Sequence, residues 1–203
     1  MNGYFHRVNE QTPTRFWINN VTRKEAHIAI EAGACGCTQN PSYVWKMLNH
    51  AEGGAHAKEL LQRFMAEYTD DNMVEVALQR ELVGEIAKIF LPIWEKTAGR
   101  WGYVSIQGDP FHEDCNTIVR MARFNREAGA NIMAKIPVTV EGLKAIGILA
   151  AEGVPINATE VMSVRQAMDV LDVYAHATEG MEKKPVIYFS HIAGIFDEYI
   201  KAY

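Results

Sequence analysis

The sequence predicts a parallel α/β fold built of repeated strand and helix units, and three observations point there. Short apolar runs alternate with helical stretches from Arg15 onward, which is how a sheet covered by helices reads in sequence. The connections between them are brief. Polar residues recur where strands end, at Asn19, Asn40, Gln107, Asp109, Lys135, Asn157, Thr159 and Ser190, the end at which barrels and open α/β sheets place their chemistry.

Taken in order, Phe16-Trp17-Ile18 is the first apolar run and stops at Asn19-Asn20. Thr22 with Glu25 three residues on forms a capping box for a helix carrying Ala26, Ile28, Ala29 and Ile30, with Gly33 as its stop. A short strand fits Cys35 to Gln39. Asn40-Pro41-Ser42 breaks it, and Ser42 is placed to cap a helix through Tyr43, Val44, Trp45, Met47 and Leu48 that Gly53-Gly54 ends. Helical spacing then runs over Ala57 to Tyr68 and Met73 to Phe90, whose stripes (Leu60, Leu61, Phe64, Met65; Val74, Leu78, Leu82, Ile86, Ile89) face a core.

From Tyr103 the alternation is strict. A strand at Tyr103 to Gln107 precedes a helix at Asn116 to Glu127, and a strand at Asn131 to Ile136 precedes a helix at Glu141 to Ala151. A strand at Pro155 to Thr159 leads to a helix at Val164 to His176, and Val186 to Ser190 enters a last partial helix near Phe196. Six β units result. A closed (β/α)8 TIM barrel has eight in roughly 250 residues, so the expectation is such a barrel truncated after about six β/α units, one domain over residues 1–203.

Composition agrees and excludes other classes. With 48% apolar and 22% charged residues in 203, the chain can bury a core. No run approaches the roughly 20 apolar residues of a membrane span, and Met1 to Asn9 contains no apolar signal segment, so a soluble, cytoplasmic protein is expected. The net charge of −5 includes no basic run to bind nucleic acid. Cys35, Cys37 and Cys115 lack a metal-site spacing and read as reduced thiols, the first two as small core residues. Six strands leave an open sheet edge, which favours a homo-oligomer or pairing with further strands.

Lys135 lies inside Asn131-Ile132-Met133-Ala134-Lys135-Ile136-Pro137, a run that otherwise reads as a buried strand. Burial disfavours the ammonium form and leaves a neutral amine able to attack a carbonyl. A lysine that snorkels to the strand end, or pairs with a carboxylate, is the other reading.

The block Lys135-Ile136-Pro137-Val138-Thr139-Val140-Glu141-Gly142-Leu143-Lys144-Ala145-Ile146, followed by Glu152-Gly153-Val154-Pro155-Ile156-Asn157-Ala158-Thr159, resembles the central block of transaldolases and fructose-6-phosphate aldolases. Thr38-Gln39-Asn40-Pro41-Ser42 resembles that family's second-strand motif, Ser105-Ile106-Gln107 its third, and Ser190 the start of its sixth. The resemblance covers about Phe16 to Asp197. It implies a class I mechanism in which Lys135 forms a Schiff base with a keto sugar or sugar phosphate, with no metal or other cofactor. It further implies that Asn40 and Asn157 hold substrate hydroxyls, and that Thr159 with Gln107 positions the water that enters or leaves the imine carbon.

Two departures accompany the resemblance. The family's first strand ends in an aspartate that moves a proton at the breaking bond; here the residue is Asn19, an amide without that capacity at neutral pH. Glu160 and His191 are candidate replacements, although each also reads plainly, Glu160 as a strand residue facing the helix layer and His191 as a loop histidine. Second, Ile195 stands where the family has a phosphate-gripping arginine, and Ile192 where it has Phe or Tyr. An enzyme of this type is therefore weighed against a catalytically impaired, sugar-binding or regulatory relative.

Overall fold

The computed structural model describes residues 3–202. Strands β1 (Phe16–Asn19), β2 (Ala34–Gln39), β3 (Val104–Gln107), β4 (Ile132–Pro137), β5 (Ile156–Val161) and β6 (Ile187–His191) form one sheet in the order β1-β2-β3-β4-β5-β6. Every neighbouring pair is parallel. Between them lie α2 (Arg23–Glu31), then α3 (Ser42–Leu48), α4 (Gly54–Glu67) and α5 (Asp71–Lys96) in succession, then α6 (Cys115–Arg126), α7 (Val140–Ala151) and α8 (Val164–Ala177); α1 (Tyr4–Gln11) precedes β1 and α9 (Gly194–Lys201) follows β6.

The sheet is curled. Across a flat six-stranded sheet the outer strands would stand about 24 Å apart at the usual strand spacing, yet the rings of Trp17 in β1 and Tyr188 in β6 meet edge to face at 5.3 Å. The order and the curl are those of the first six units of a (β/α)8 barrel. Residues alternate accordingly. Val104, Ile106, Ile132, Ala134, Ile136, Ile156 and Ala158 pack outward against helices in two clusters. Trp17, Thr38, Ser105, Lys135, Asn157 and Ser190 turn inward, where hydrogen bonds link them or their neighbours.

The local signals hold where capping chemistry is present. Thr22 accepts from the Glu25 amide while the Glu25 carboxylate accepts from the Thr22 amide, and Gly33 leaves α2 at φ 107°. Asp114, Thr139 and Ser163 cap α6, α7 and α8 through side-chain oxygens.

Five expectations need correction. Ser42 is the first residue of α3 and makes no cap; Pro41 already has helical angles, so Ser42 lies inside the first turn and not at the extended position from which a side chain caps it. Helix α3 already ends at Leu48 with Asn49 as its C-cap, so Gly53-Gly54 does not end it but starts α4, three residues before the expected Ala57. On α4, Met65 is exposed and does not face the core. Helix α5 runs on past Phe90 and through Pro92 to Lys96, because Ile93 still packs on the core and the ring of Trp94 lies 6.5 Å from that of Tyr103. Helix α1 falls outside the reading that begins at Arg15. It is held by Phe5 stacked on Phe16 at 4.1 Å, by Asn9 donating to the Gly33 carbonyl and by His6 bonded to the Glu31 carbonyl.

Candidate active site

The inward side chains fall into tiers. At the amino ends of the strands Trp17, Tyr103 and Tyr188 form an aromatic floor. Gly36 is required beside it, since a Cβ there would overlap the Trp17 ring. Above it runs a chain of polar contacts from β6 to β1. Ser190 Oγ donates to Asn157 Oδ1 (2.8 Å), Asn157 Nδ2 to Ser105 Oγ (3.1 Å), and Ser105 Oγ to Thr38 Oγ1 (3.2 Å), which also accepts from Trp17 Nε1 (2.8 Å). Each buried polar group thereby gains a partner, and five strands are tied in register from the inside.

At the carboxyl ends opens a cavity of about 490 Å³, lined by Asn19, Thr38, Asn40 and Pro41 on one side and by Gln107, Lys135, Thr159, Glu160, Ser190 and Ile192 on the other. Six of the seven residues expected to form the site line it: Asn19, Asn40, Gln107, Lys135, Thr159 and Ser190. Asn157 does not. It lies one tier lower, 3% exposed, with its amide oriented by Ser105 and Ser190. Asn40 donates to Asn19 Oδ1 (3.0 Å), and its own amide donates to Asn20 Oδ1 (2.8 Å). Lys46 fastens the Asn20 carbonyl from behind while also pairing with Glu25.

Lys135 is 8% exposed and donates to Gln107 Oε1 at 2.6 Å. Its partner is a neutral amide. Burial pushes its ammonium down to about 8, against the pull of Glu160 and Glu113 in the opposite direction. Among the described residues, Lys135 is the only cation lining the cavity.

Glu113, in the turn before α6, carries no spacing signal in the sequence and emerges only from the fold. It accepts from Gln107 Nε2 at 3.3 Å, and with Gln107 and Lys135 it borders a separate space of about 20 Å³, roughly room for one water. Burial pushes its carboxyl upward, opposed by the Gln107 bond. Thr38 and Ser105, by contrast, stand two residues before Asn40 and Gln107, so the two-residue period of a strand was the signal that could have placed them inside.

Asp109 bends away from the cavity into its own turn, accepting from the Phe111 amide and pairing with His112 at 2.7 Å. His191 ends β6 on the side opposite Ser190, its ring 6.5 Å from that of Phe189, and does not line the cavity. It is a strand residue, not a loop residue. Glu160 overturns the helix-facing reading: at φ 60°, where β5 slips register between Ala158 and Val161, it follows Thr159 into the cavity. All three cysteines are free thiols, Cys35 and Cys37 buried, and burial pushes Cys37 up to about 12.

A curled parallel sheet with helices outside, and a cavity at the strands' carboxyl ends centred on a buried lysine, define a (β/α)-barrel protein with a lysine-centred site. The family model for transaldolase/fructose-6-phosphate aldolase matches residues 16–199, and the chain belongs to that family. Similar proteins named transaldolase come from Saccharopolyspora erythraea, 34% identical over 173 residues, and Thermobifida fusca, 29% identical over 172. Each alignment covers 80% of this chain and 46% of the relative. A transaldolase from Thiobacillus denitrificans is 29% identical over 167 residues, covering 78% of this chain and 46% of its own. The chain thus spans about half the length of the relatives it matches.

Proposed function

We propose that this chain carries out class I aldol chemistry, with Lys135 forming a Schiff base to the carbonyl of a keto sugar or sugar phosphate. One observation carries the reading: a buried primary amine, bonded to an amide and held near pKa 8, lines a cavity large enough for a sugar. At neutral pH about a tenth of such an amine is already deprotonated, against less than a thousandth for an ordinary lysine.

Asn19, Asn40 and Ser190 offer hydrogen bonds to substrate hydroxyls, and Asn157 acts by holding Ser190. Gln107 and Thr159 flank Lys135 from β3 and β5, which suits them to orient the water gained or lost at the imine carbon. With no arginine on the cavity wall among the described residues and Ile192 at its rim, an unphosphorylated or weakly gripped substrate fits better than a tightly held phosphate. The rival reading, a sugar-binding relative without turnover, rests on Asn19.

Borohydride reduction of the protein mixed with fructose 6-phosphate, and separately with dihydroxyacetone, followed by mass spectrometry, tests the proposal. The expected result is a covalent adduct absent from Lys135→Met. An unmodified wild-type mass with both ligands would sink the Schiff-base reading.

A further inference from the structure

We infer that Glu160 is the general base of the carbon-carbon step, since it and Lys135 both line the sugar-sized cavity at the strands' carboxyl ends. The inference rests on the Schiff-base reading and adds to it the group that moves the substrate proton.

The chemistry of the lining narrows the choice. Asn19, Asn40 and Gln107 are amides, and Thr38, Thr159 and Ser190 are hydroxyls; none takes up a proton at neutral pH. Among the described residues lining the cavity, Glu160 is the only carboxylate. It is half-buried, and its carboxylate makes no hydrogen bond among the described residues, so its lone pairs are free for a substrate hydroxyl. It is also near enough to Lys135 to be the strongest of the charges acting on that ammonium.

Its placement is built. A glutamate at φ 60° is uncommon, because the left-handed region crowds a Cβ. Such a conformation persists when its surroundings hold it, and here Gln166 of α8 does so. The Gln166 Nε2 donates to the carbonyls of Val138 (3.0 Å) and Glu160 (3.3 Å), while its Oε1 accepts from the Met162 amide (2.9 Å). The slip in β5 reverses the alternation for one residue, so Thr159 and Glu160 both enter the cavity in succession.

In the step itself, a ketose is bound to Lys135 as an iminium. The Glu160 carboxylate removes the proton from the hydroxyl on the carbon beyond the bond to be broken. The O–H electron pair becomes the new aldehyde C=O, the carbon-carbon bond breaks, and its pair forms the enamine double bond while the iminium nitrogen becomes neutral. Glu160, now a carboxylic acid, returns the proton to the aldehyde oxygen in the reverse, bond-forming direction.

The test compares wild type with Glu160→Gln on two readouts: borohydride trapping of dihydroxyacetone, and release of glyceraldehyde or its phosphate from fructose and fructose 6-phosphate. Trapping within about threefold of wild type, with cleavage lower by roughly 10²–10⁴-fold, is expected. Cleavage within threefold of wild type overturns the inference, as does loss of both readouts in a variant that still unfolds cooperatively, since the carboxylate would then act on the lysine alone. If Glu160→Gln does not fold, Glu160→Asp is read instead: the withdrawn carboxylate should lower cleavage at least tenfold with trapping kept, and unchanged cleavage overturns the role. Wild type that traps but cleaves neither sugar also overturns it, whereas wild type that fails to trap defeats the Schiff-base reading first.

Discussion

Lys135 would ordinarily lose its proton near 10.5, and burial brings it to about 8. Between those values the unfolded chain holds a proton that the folded chain has released, so stability rises with pH across that window. Below pH 8 the ammonium is charged in both states and the folded state bears the full desolvation cost, roughly 3 kcal/mol. Lys135→Met removes that cost but leaves Gln107 Oε1 without its donor, a loss of roughly 1–2 kcal/mol. Urea unfolding at pH 7 should therefore find the variant more stable by roughly 1–2 kcal/mol, the gain disappearing by about pH 10; a variant less stable at pH 7 would contradict the buried-ammonium picture. In wild type the rate of imine trapping should climb through about pH 8. Because Glu113 favours the charged lysine, Glu113→Gln should move that midpoint to lower pH, and a move upward would refute the electrostatic assignment.

Helix α7 shows how an element fixes the site from outside it. Thr139 caps it by accepting from the Gly142 amide at 3.0 Å, and Gly142 lies so close to β4 that an added Cβ would run into the Pro137 carbonyl oxygen. Thr139→Ala should cost about 1 kcal/mol through the lost cap. Gly142→Ala should cost roughly 2–4 kcal/mol, since backbone must move to admit the methyl. It should also slow imine trapping, because the displaced strand carries Lys135 two residues before Pro137. Denaturation and trapping read both effects; a Gly142→Ala variant no less stable than Thr139→Ala would show that the helix shifts freely over the strand. At this scale the capping residue Thr22 was legible because a cap needs only its own first turn. The role of Ser42 was misread because the backbone angles of Pro41, not composition, decide where the turn begins.

Across the whole molecule, β1 and β6 each pair on one side only among the described residues. Ile195, Phe196 and Ile200 of α9, the helix that follows β6 in the chain, are exposed. Unpaired strand edges and exposed apolar side chains favour association, and we propose that the chain self-associates through them. Light scattering should give a mass above 22.8 kDa that increases with concentration, and Phe196→Glu should lower it. A constant mass of 22.8 kDa for wild type at every concentration would refute the association. No helix among the described residues is long and apolar enough to cross a membrane.

The sequence by itself determined the six parallel units, their order and the strand ends that carry Asn19, Asn40, Gln107, Lys135, Thr159 and Ser190, because strand and helix periods and turn residues act over a few neighbours. The tertiary structure alone decided the rest. Glu113 reaches Gln107 from a turn that no periodicity describes, and Asn157 sits a tier below the cavity because the Ser105 and Ser190 hydroxyls, 52 and 33 residues away, claim its amide. Glu160 enters the cavity only because β5 slips register and Gln166 holds the slipped backbone, and long-range pairing of this kind leaves no trace in the alternation of a single strand.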